Sequence, residues 1–254
     1  MKKFLIVLLL LIPITTEAYY YQWDDDVIAV YDFEQNGNDT LGNYNLTTNG
    51  IPVYSNTVTK SGSYSYYHPS TSDYFQFPTD LTVYLRNATE WSIEFNIYDL
   101  SAGSYNIPFS RGQDWGLGSL VWNPQGIGNV RGQLNSGWFS FTNDESYNIN
   151  KWYRVSIQWK SDQNIKWYLD GVLILNAGAN PFVREIANNV GDLWLGRATG
   201  CPPCVLNGYM DKVIISNKLY NGAEILPIGI SETKYFTPEE IIYFGADQMY
   251  YDGE

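Results

Sequence analysis

Two-residue alternation of apolar and polar side chains runs through most of this chain and confines it to β structure. In Trp91-Ser92-Ile93-Glu94-Phe95-Asn96-Ile97-Tyr98, Trp91, Ile93, Phe95 and Ile97 share one face, and Ser92, Glu94, Asn96 and Tyr98 share the other. In Trp152 to Trp159 the shared face holds Tyr153, Val155, Ile157 and Trp159; in Ile165 to Leu169 it holds Ile165, Trp167 and Leu169. Further strands are expected at 27–34, 44–48, 51–55, 64–67, 73–77, 105–110, 117–122, 130–134, 137–142, 172–176, 192–196 and 206–216. Turn pairs such as Asn36-Gly37, Asn49-Gly50 and Ser61-Gly62 separate them, and Asp170-Gly171 is the strongest hairpin signal. Helical periodicity is almost absent before residue 220. So many short strands in one domain imply an all-β, antiparallel two-sheet sandwich or jelly roll. After residue 220, Thr237-Pro238-Glu239-Glu240 starts one short C-terminal helix, about 238–244, with 221–236 an irregular connection.

The first residues read as a leader. Lys2 and Lys3 precede the apolar run Phe4 to Ile14, and Thr16-Glu17-Ala18 supplies a small-x-small ending, so cleavage is expected after Ala18. No later stretch reads as a membrane span, which makes the expected location extracellular: secreted or at a cell surface. The division expected is 1–18 signal peptide, 19–220 one jelly roll and 221–254 a C-terminal extension. The chain has 15 basic against 27 acidic residues, a net charge of −12, with no basic cluster, so nucleic acid is a poor partner. A single His, His68 in Tyr67-His68-Pro69-Ser70, excludes imidazole metal cages and reads as a turn residue. Cys201-Pro202-Pro203-Cys204 lies between strand-like segments, which in an oxidising compartment points to a loop-clipping disulfide, Cys201–Cys204.

The aromatic middle places Trp beside amides and arginine: Trp115, Trp122 and Trp138 with Arg131 and Gln133. Such mixtures bind sugars, because a ring face stacks on the pyranose and planar polar groups fix its hydroxyls. The alternative for Trp122 and Trp138 individually is a place in the core. Catalysis finds little support. Sugar cleavage needs two facing carboxylates, and Glu94 stands alone on the polar face of its strand. Ser-His-Asp chemistry has only His68 to draw on. A glycan or glycoprotein surface is therefore the expected partner. A protein partner, in a surface or virion assembly, is the alternative. Asn38, Asn45 and Asn87 head Asn-x-Thr triplets, which are acceptors only in a host that glycosylates such sites.

Several segments, in order, resemble the laminin-G-like, concanavalin A-like jelly rolls. They are Val30-Tyr31-Asp32-Phe33-Glu34 with its Asn/Asp-rich loop, Trp91-Ser92-Ile93-Glu94-Phe95, Trp152-Tyr153-Arg154-Val155, Tyr168-Leu169-Asp170-Gly171, Leu193-Trp194-Leu195-Gly196 and Gly208-Tyr209-Met210-Asp211-Lys212-Val213. The resemblance implies two curved antiparallel sheets, and adhesion or carbohydrate binding more often than catalysis. It also implies a structural calcium ion held by Glu34 (or Asp32), a carbonyl near Gly62, and Asp211. On the residues alone, Asp211 interrupts an apolar strand, where a bound cation or a pairing with Lys212, Arg197 or a backbone donor would offset its burial.

Overall fold

The computed structural model describes residues 17–68, 73–100, 109–111, 120–124, 129–134, 137–142, 148–160, 165–177, 193–197 and 205–233. Their elements in chain order are β1 (Glu17–Gln22), β2 (Val27–Tyr31), β3 (Thr47–Asn49), β4 (Val53–Ser55), β5 (Ser65–Tyr67), β6 (Tyr74–Gln76), α1 (Thr79–Asn87), β7 (Glu90–Asp99) and β8 (Phe109–Arg111). There follow β9 (Leu120–Pro124), β10 (Asn129–Leu134), β11 (Gly137–Thr142), β12 (Trp152–Lys160), β13 (Ile165–Leu169), β14 (Val172–Ala177), β15 (Leu193–Leu195), β16 (Gly208–Ser216) and β17 (Ile228–Thr233). Two compact units result. One comprises Met1–Asp24 and Leu226–Glu254, and its described part is the antiparallel pair β1–β17. The other, Asp25–Ile225, is a sandwich of two antiparallel sheets.

The eight-stranded sheet runs β14-β13-β12-β7-β16-β5-β4, with β2 also on β16. The seven-stranded sheet runs β11-β10-β9-β8-β15-β6-β3. Alternation decides which side chains meet between them. Trp91, Ile93, Phe95 and Ile97 of β7 join Tyr153, Val155, Ile157 and Trp159 of β12 in the core, facing Phe75, Phe109, Leu193 and Leu195 of the other sheet. Burying each such side chain contributes roughly 1.5–3 kcal/mol. The β13–β14 hairpin turns on Asp170 and Gly171, with φ of +48° and +83°, the left-handed pair that a two-residue hairpin needs.

Three expectations need correction. A helix, α1, precedes residue 220. Pro78 opens it, Asp80 lies in its first turn, and Leu81 and Leu85, four apart, pack into the core. Residues 228–233 are a strand paired with β1, not irregular chain; Tyr20 opposes Ile230 there. His68 is not an open turn residue but is 2 % exposed, with Tyr66 edge-on at 5.8 Å and its Nε2 against the Asp73 carbonyl. Burial lowers its pKa. The expected helix at 238–244, Cys201, Cys204 and most of the leader lie outside the described residues.

The Asn/Asp-rich loop after β2 is organised by one buried carboxylate. Asp39 Oδ1 accepts from the amides of Val30 (2.8 Å) and Leu41 (3.1 Å), and Oδ2 from those of Asn43 and Tyr44 (3.0 Å each). Asp39→Ala would strand four donors. It should cost about 3 kcal/mol or more, read as a lower urea midpoint at unchanged slope. Asp39→Asn, which turns one acceptor into a donor facing donors, should recover little of the loss.

Candidate functional site

Strand β16 carries a bulge between Asp211 and Ile214, with Lys212 at φ +48°. On one side of the bulge, Tyr209 and Met210 pair with β5; on the other, Val213 to Ser216 pair with β2. Two short strands therefore share one edge of β16 end to end, and Asp211 lies at their junction. Its carboxylate, 0 % exposed, accepts from the Lys60 amide (2.7 Å), the Ser61 amide (2.9 Å) and the Ser61 hydroxyl (3.2 Å). Glu34, three residues past β2, reaches the same loop and accepts from the amides of Ser63 (2.8 Å) and Tyr64 (3.3 Å). Gly62 sits between them at φ +62°, and a Cβ there would collide with Glu34 Oε1. Burial, and secondarily the charge of Glu34, push the Asp211 carboxyl up, against the lowering effect of its loop donors.

Glu34, Gly62 and Asp211 thus come together. Asp32 does not join them, because its Oδ2 takes the Thr40 hydroxyl at 2.9 Å. Among the described residues no group of three or more His, Cys, Asp or Glu side chains forms a metal cage. The donor set at this junction is nevertheless all oxygen. Two carboxylates whose mutual repulsion a cation would relieve, beside the Ser61 hydroxyl, are of the type that suits a hard ion such as calcium.

The second arrangement lies on the seven-stranded sheet. Directly opposed residues share a face. Thr47 opposes Gln76, Gln76 opposes Trp194, Trp194 opposes Ser110, and Ser110 opposes Val121. Val121 opposes Gln133, and Gln133 opposes Trp138. These positions align across the sheet, and at the described end half-buried Gln76 and Trp194 alternate with buried Phe75, Leu193 and Leu195. Arg131, two residues before Gln133 on β10, opposes Asn123 and Ser140. Trp122 opposes Gly132 in the same ladder. Trp115 lies outside the described residues.

At the β6–β15 end of this face, half-buried Trp194 stacks on Tyr74 with ring centroids 4.4 Å apart and planes 28° apart. The Arg197 guanidinium lies 5.4 Å from the Tyr74 centroid. The sequence reading missed this stack, although Trp194 is the odd member of a Leu-Trp-Leu alternation and Tyr74 and Gln76 flank core Phe75.

Glu94 is paired with a cation from the neighbouring strand. It is 2 % exposed and pairs with Arg154 Nη1 at 2.8 Å, while the Ile225 amide approaches Oε1 at 3.4 Å. Burial outweighs Arg154 and pushes the carboxyl up to about 7.

A family model described as the concanavalin A-like lectin/glucanases superfamily, laminin-G type, matches residues 69–226, and the chain belongs to that superfamily. No curated protein matches it. Among solved structures it is similar to domain 4 of AbnA, an extracellular arabinanase from Geobacillus stearothermophilus solved with arabinotriose. The identity is 16%, the match covers 75% of this chain and 92% of that one, and the TM-score is 0.58. It is also similar to Trypanosoma rangeli sialidase with the inhibitor DANA (13%, 78% and 32%, TM-score 0.56). A third likeness is to botulinum neurotoxin type C, which depends on interaction with two ganglioside molecules to get into cells (16%, 78% and 49%, TM-score 0.54). The chain thus spans under half of the sialidase and toxin chains. At these identities the likeness shows the fold, which binding domains and enzymes share. Among the described residues no helix is long and apolar enough to cross a membrane.

Because Glu94 binds its proton more tightly in the fold than at the ordinary 4.5, the native state loses stability as pH rises from about 4.5 to about 7. Glu94→Gln removes that titration. Its stability relative to the parent chain should improve by on the order of 3 kcal/mol across this window, measured by denaturant unfolding at stepped pH. A difference that stays flat with pH would refute the assignment.

Proposed function

We propose that this chain is an extracellular, non-catalytic carbohydrate-binding or adhesive module with a calcium-stabilised edge. One observation carries the glycan reading: the outward face of the seven-stranded sheet. In a chain of net charge −12, the strand positions sharing this face in the described register include no Asp or Glu. Where its side chains are described, at the β6–β15 end, this face carries Thr47, Tyr74, Gln76 and Trp194, with the Arg197 guanidinium near the Tyr74 ring. That is the chemistry of ring stacking with hydroxyl recognition, without the carboxylate pair that glycoside hydrolysis uses. The arabinotriose on the arabinanase domain and the gangliosides of the neurotoxin favour the same class of ligand. The leader at 1–18 and the Cys201–Cys204 bridge belong to this reading as features of an exported protein.

In this reading Glu34 and Asp211 hold calcium, with the Ser61 hydroxyl, a carbonyl near Gly62 and water completing the oxygen set. The ion would neutralise two facing carboxylates and fix the junction of β2 and β5 on β16.

A glycan array probed with the purified chain tests the binding reading. Defined glycans should bind, and Trp194→Ala should lose them while the chain remains folded, its melting temperature lowered only by the lost Tyr74 stack. Silence across the array, with a protein captured instead, would move the chain to the assembly class. Released reducing ends would make it an enzyme.

Calcium is tested on metal-stripped protein. Ligand that binds only the folded state raises its stability with concentration, so the melting temperature should climb with added calcium and fall with chelator. Asp211→Asn should blunt the response, and Asp25→Asn, in an exposed turn, should not. A melting curve indifferent to calcium would leave Asp211 as a carboxylate satisfied by Lys60 and Ser61 alone.

A further inference from the structure

Residues 217–225 cross the outward face of the eight-stranded sheet, and Ser92, Glu94, Ser156 and Gln158 lie buried beneath them. Ser92 Oγ donates to the Lys218 carbonyl (2.7 Å), Arg154 Nη2 to the Gly222 carbonyl (2.9 Å), and the Asn221 amide to Gln158 Oε1 (3.0 Å). That crossing is fastened at several points. At the β6–β15 end of the sandwich, a single titratable ring bridges the two sheets.

His68, the chain's one histidine, directly follows β5. Its amide donates to the Gly208 carbonyl at 3.1 Å, which ties it to β16 in the eight-stranded sheet. Its ring reaches the other sheet. Nε2 donates to the carbonyl of Asp73, the residue before β6, so the neutral ring carries its proton on Nε2. Nδ1 is buried and, among the described residues, has no hydrogen-bond partner. The ring also takes the space of a side chain at Gly196, just past β15. A Cβ there would lie 2.7 Å from His68 Cδ2 and 3.4 Å from Tyr66 Cε1. Tyr74 is next to Asp73, and Trp194 and Arg197 stand on either side of Gly196. The two backbone points that seat the ring therefore carry the Tyr74–Trp194 stack and the cation over it. Strands β5, β6 and β15 have three residues each, so few ladder bonds hold this end apart from the ring.

A charge on this ring has no water to meet it, because His68 is 2 % exposed. Burial lowers its pKa, against the Asp73 carbonyl and carboxylate and the carbonyls of His68 and Leu206. The ionisable groups brought to it are few. β5 supplies the Tyr66 phenol, and the β6 side supplies Asp73, whose carboxylate takes the Ile51 amide at 3.1 Å. Arg197 stands at the β15 end, over Tyr74, and buried Asp99 of β7 opposes Gly208. Residues 206–208 bring none. A conformation that lets the ring reach water takes up a proton at the ordinary 6.5. The closed end is thus held most firmly above that pH and is loosened as the pH falls below it.

We propose that His68 is an acid-sensitive clasp between the sheets: when its ring takes a second proton, the β6–β15 end opens and Trp194 leaves its stack on Tyr74, while the long strands β7 and β12 stay paired. The stack is then a neutral-pH feature of the surface. The clasp needs no glycan, so it stands apart from the carbohydrate reading.

NMR of the full chain tests this directly, because one histidine gives one set of ring signals. The ring should remain neutral, with its proton on Nε2, as the pH falls through 6.5. Hydrogen exchange, corrected for the intrinsic pH dependence of amides, reads the opening. The Phe77 amide donates to the Leu193 carbonyl (2.9 Å) and the Leu206 amide to the Gly196 carbonyl (2.8 Å). Protection of both should fall about tenfold for each pH unit below 6.5, while the β12 amides in the ladder with β7 keep theirs. His68→Gln, whose side-chain amide can donate to the Asp73 carbonyl but takes up no proton here, should leave protection flat with pH. A variant that keeps the acid response would overturn the clasp. The parent chain alone can also overturn it, through a ring that titrates at 6.5 or above, protection at Phe77 and Leu206 that is flat in acid, or protection that falls in step with β12.

Discussion

The edge of β16 depends on a buried carboxylate. A bulge at Asp211 and Lys212 interrupts the ladder between Met210 and Val213, so one edge serves two strands, β5 before the bulge and β2 after it. Without a partner at the break, an ionised group would sit in a dry junction at a cost of several kcal/mol. The amides of Lys60 and Ser61 supply that partner, and in doing so they fix the loop that leads into β5. Glu34 secures the other half of the same loop through Ser63 and Tyr64. Two acids far apart in sequence thereby hold one turn, and Gly62 is the residue at its middle that must lack a Cβ. A cation at this point would act on an arrangement the backbone donors have already built.

The same economy appears on the covered face of the eight-stranded sheet. Alternation puts Ser92, Glu94 and Gln158 away from the core, yet residues 217–225 bury them again. Each buried polar group then finds a backbone partner in that crossing segment, as buried polar groups must. The exception in character is Glu94, whose burial raises its pKa in spite of Arg154. Replacing such a pair by apolar groups is often neutral or stabilising, so the pair is weak evidence of stability and better evidence of a specified position for the crossing segment.

Most of the sandwich was legible in the sequence because strand periodicity is two and each slip would invert a face. Trp91 to Ile97 and Tyr153 to Trp159 lie in the core as their alternation requires, and Asp170-Gly171 makes its hairpin. Elements that break the period were not legible. Helix α1 occupies nine residues with only Leu81 and Leu85 as its spaced apolar pair, too short a stretch to stand out. The β1–β17 pair joins the two ends of the described chain, which no local pattern reveals. The junction of Glu34 with Asp211 could be anticipated once first and last strands were paired, but the donors of residues 60–64 could not. The Tyr74–Trp194 stack depends on β6 and β15 being neighbours, a fact of topology rather than of either segment.

In the proposed role, this sandwich would act where its charges are absent. An acidic chain scatters carboxylates over most of its surface, which keeps it soluble and repels anions. A sheet face whose described strand positions carry no Asp or Glu would meet a glycan without the carboxylate pair that hydrolysis uses. The opposite face is closed by the chain's own segment. Glycan binding of the proposed kind would then fall on the seven-stranded side of the sandwich, and the Asp211 junction, set on the other sheet, would stiffen the module without occupying that ground.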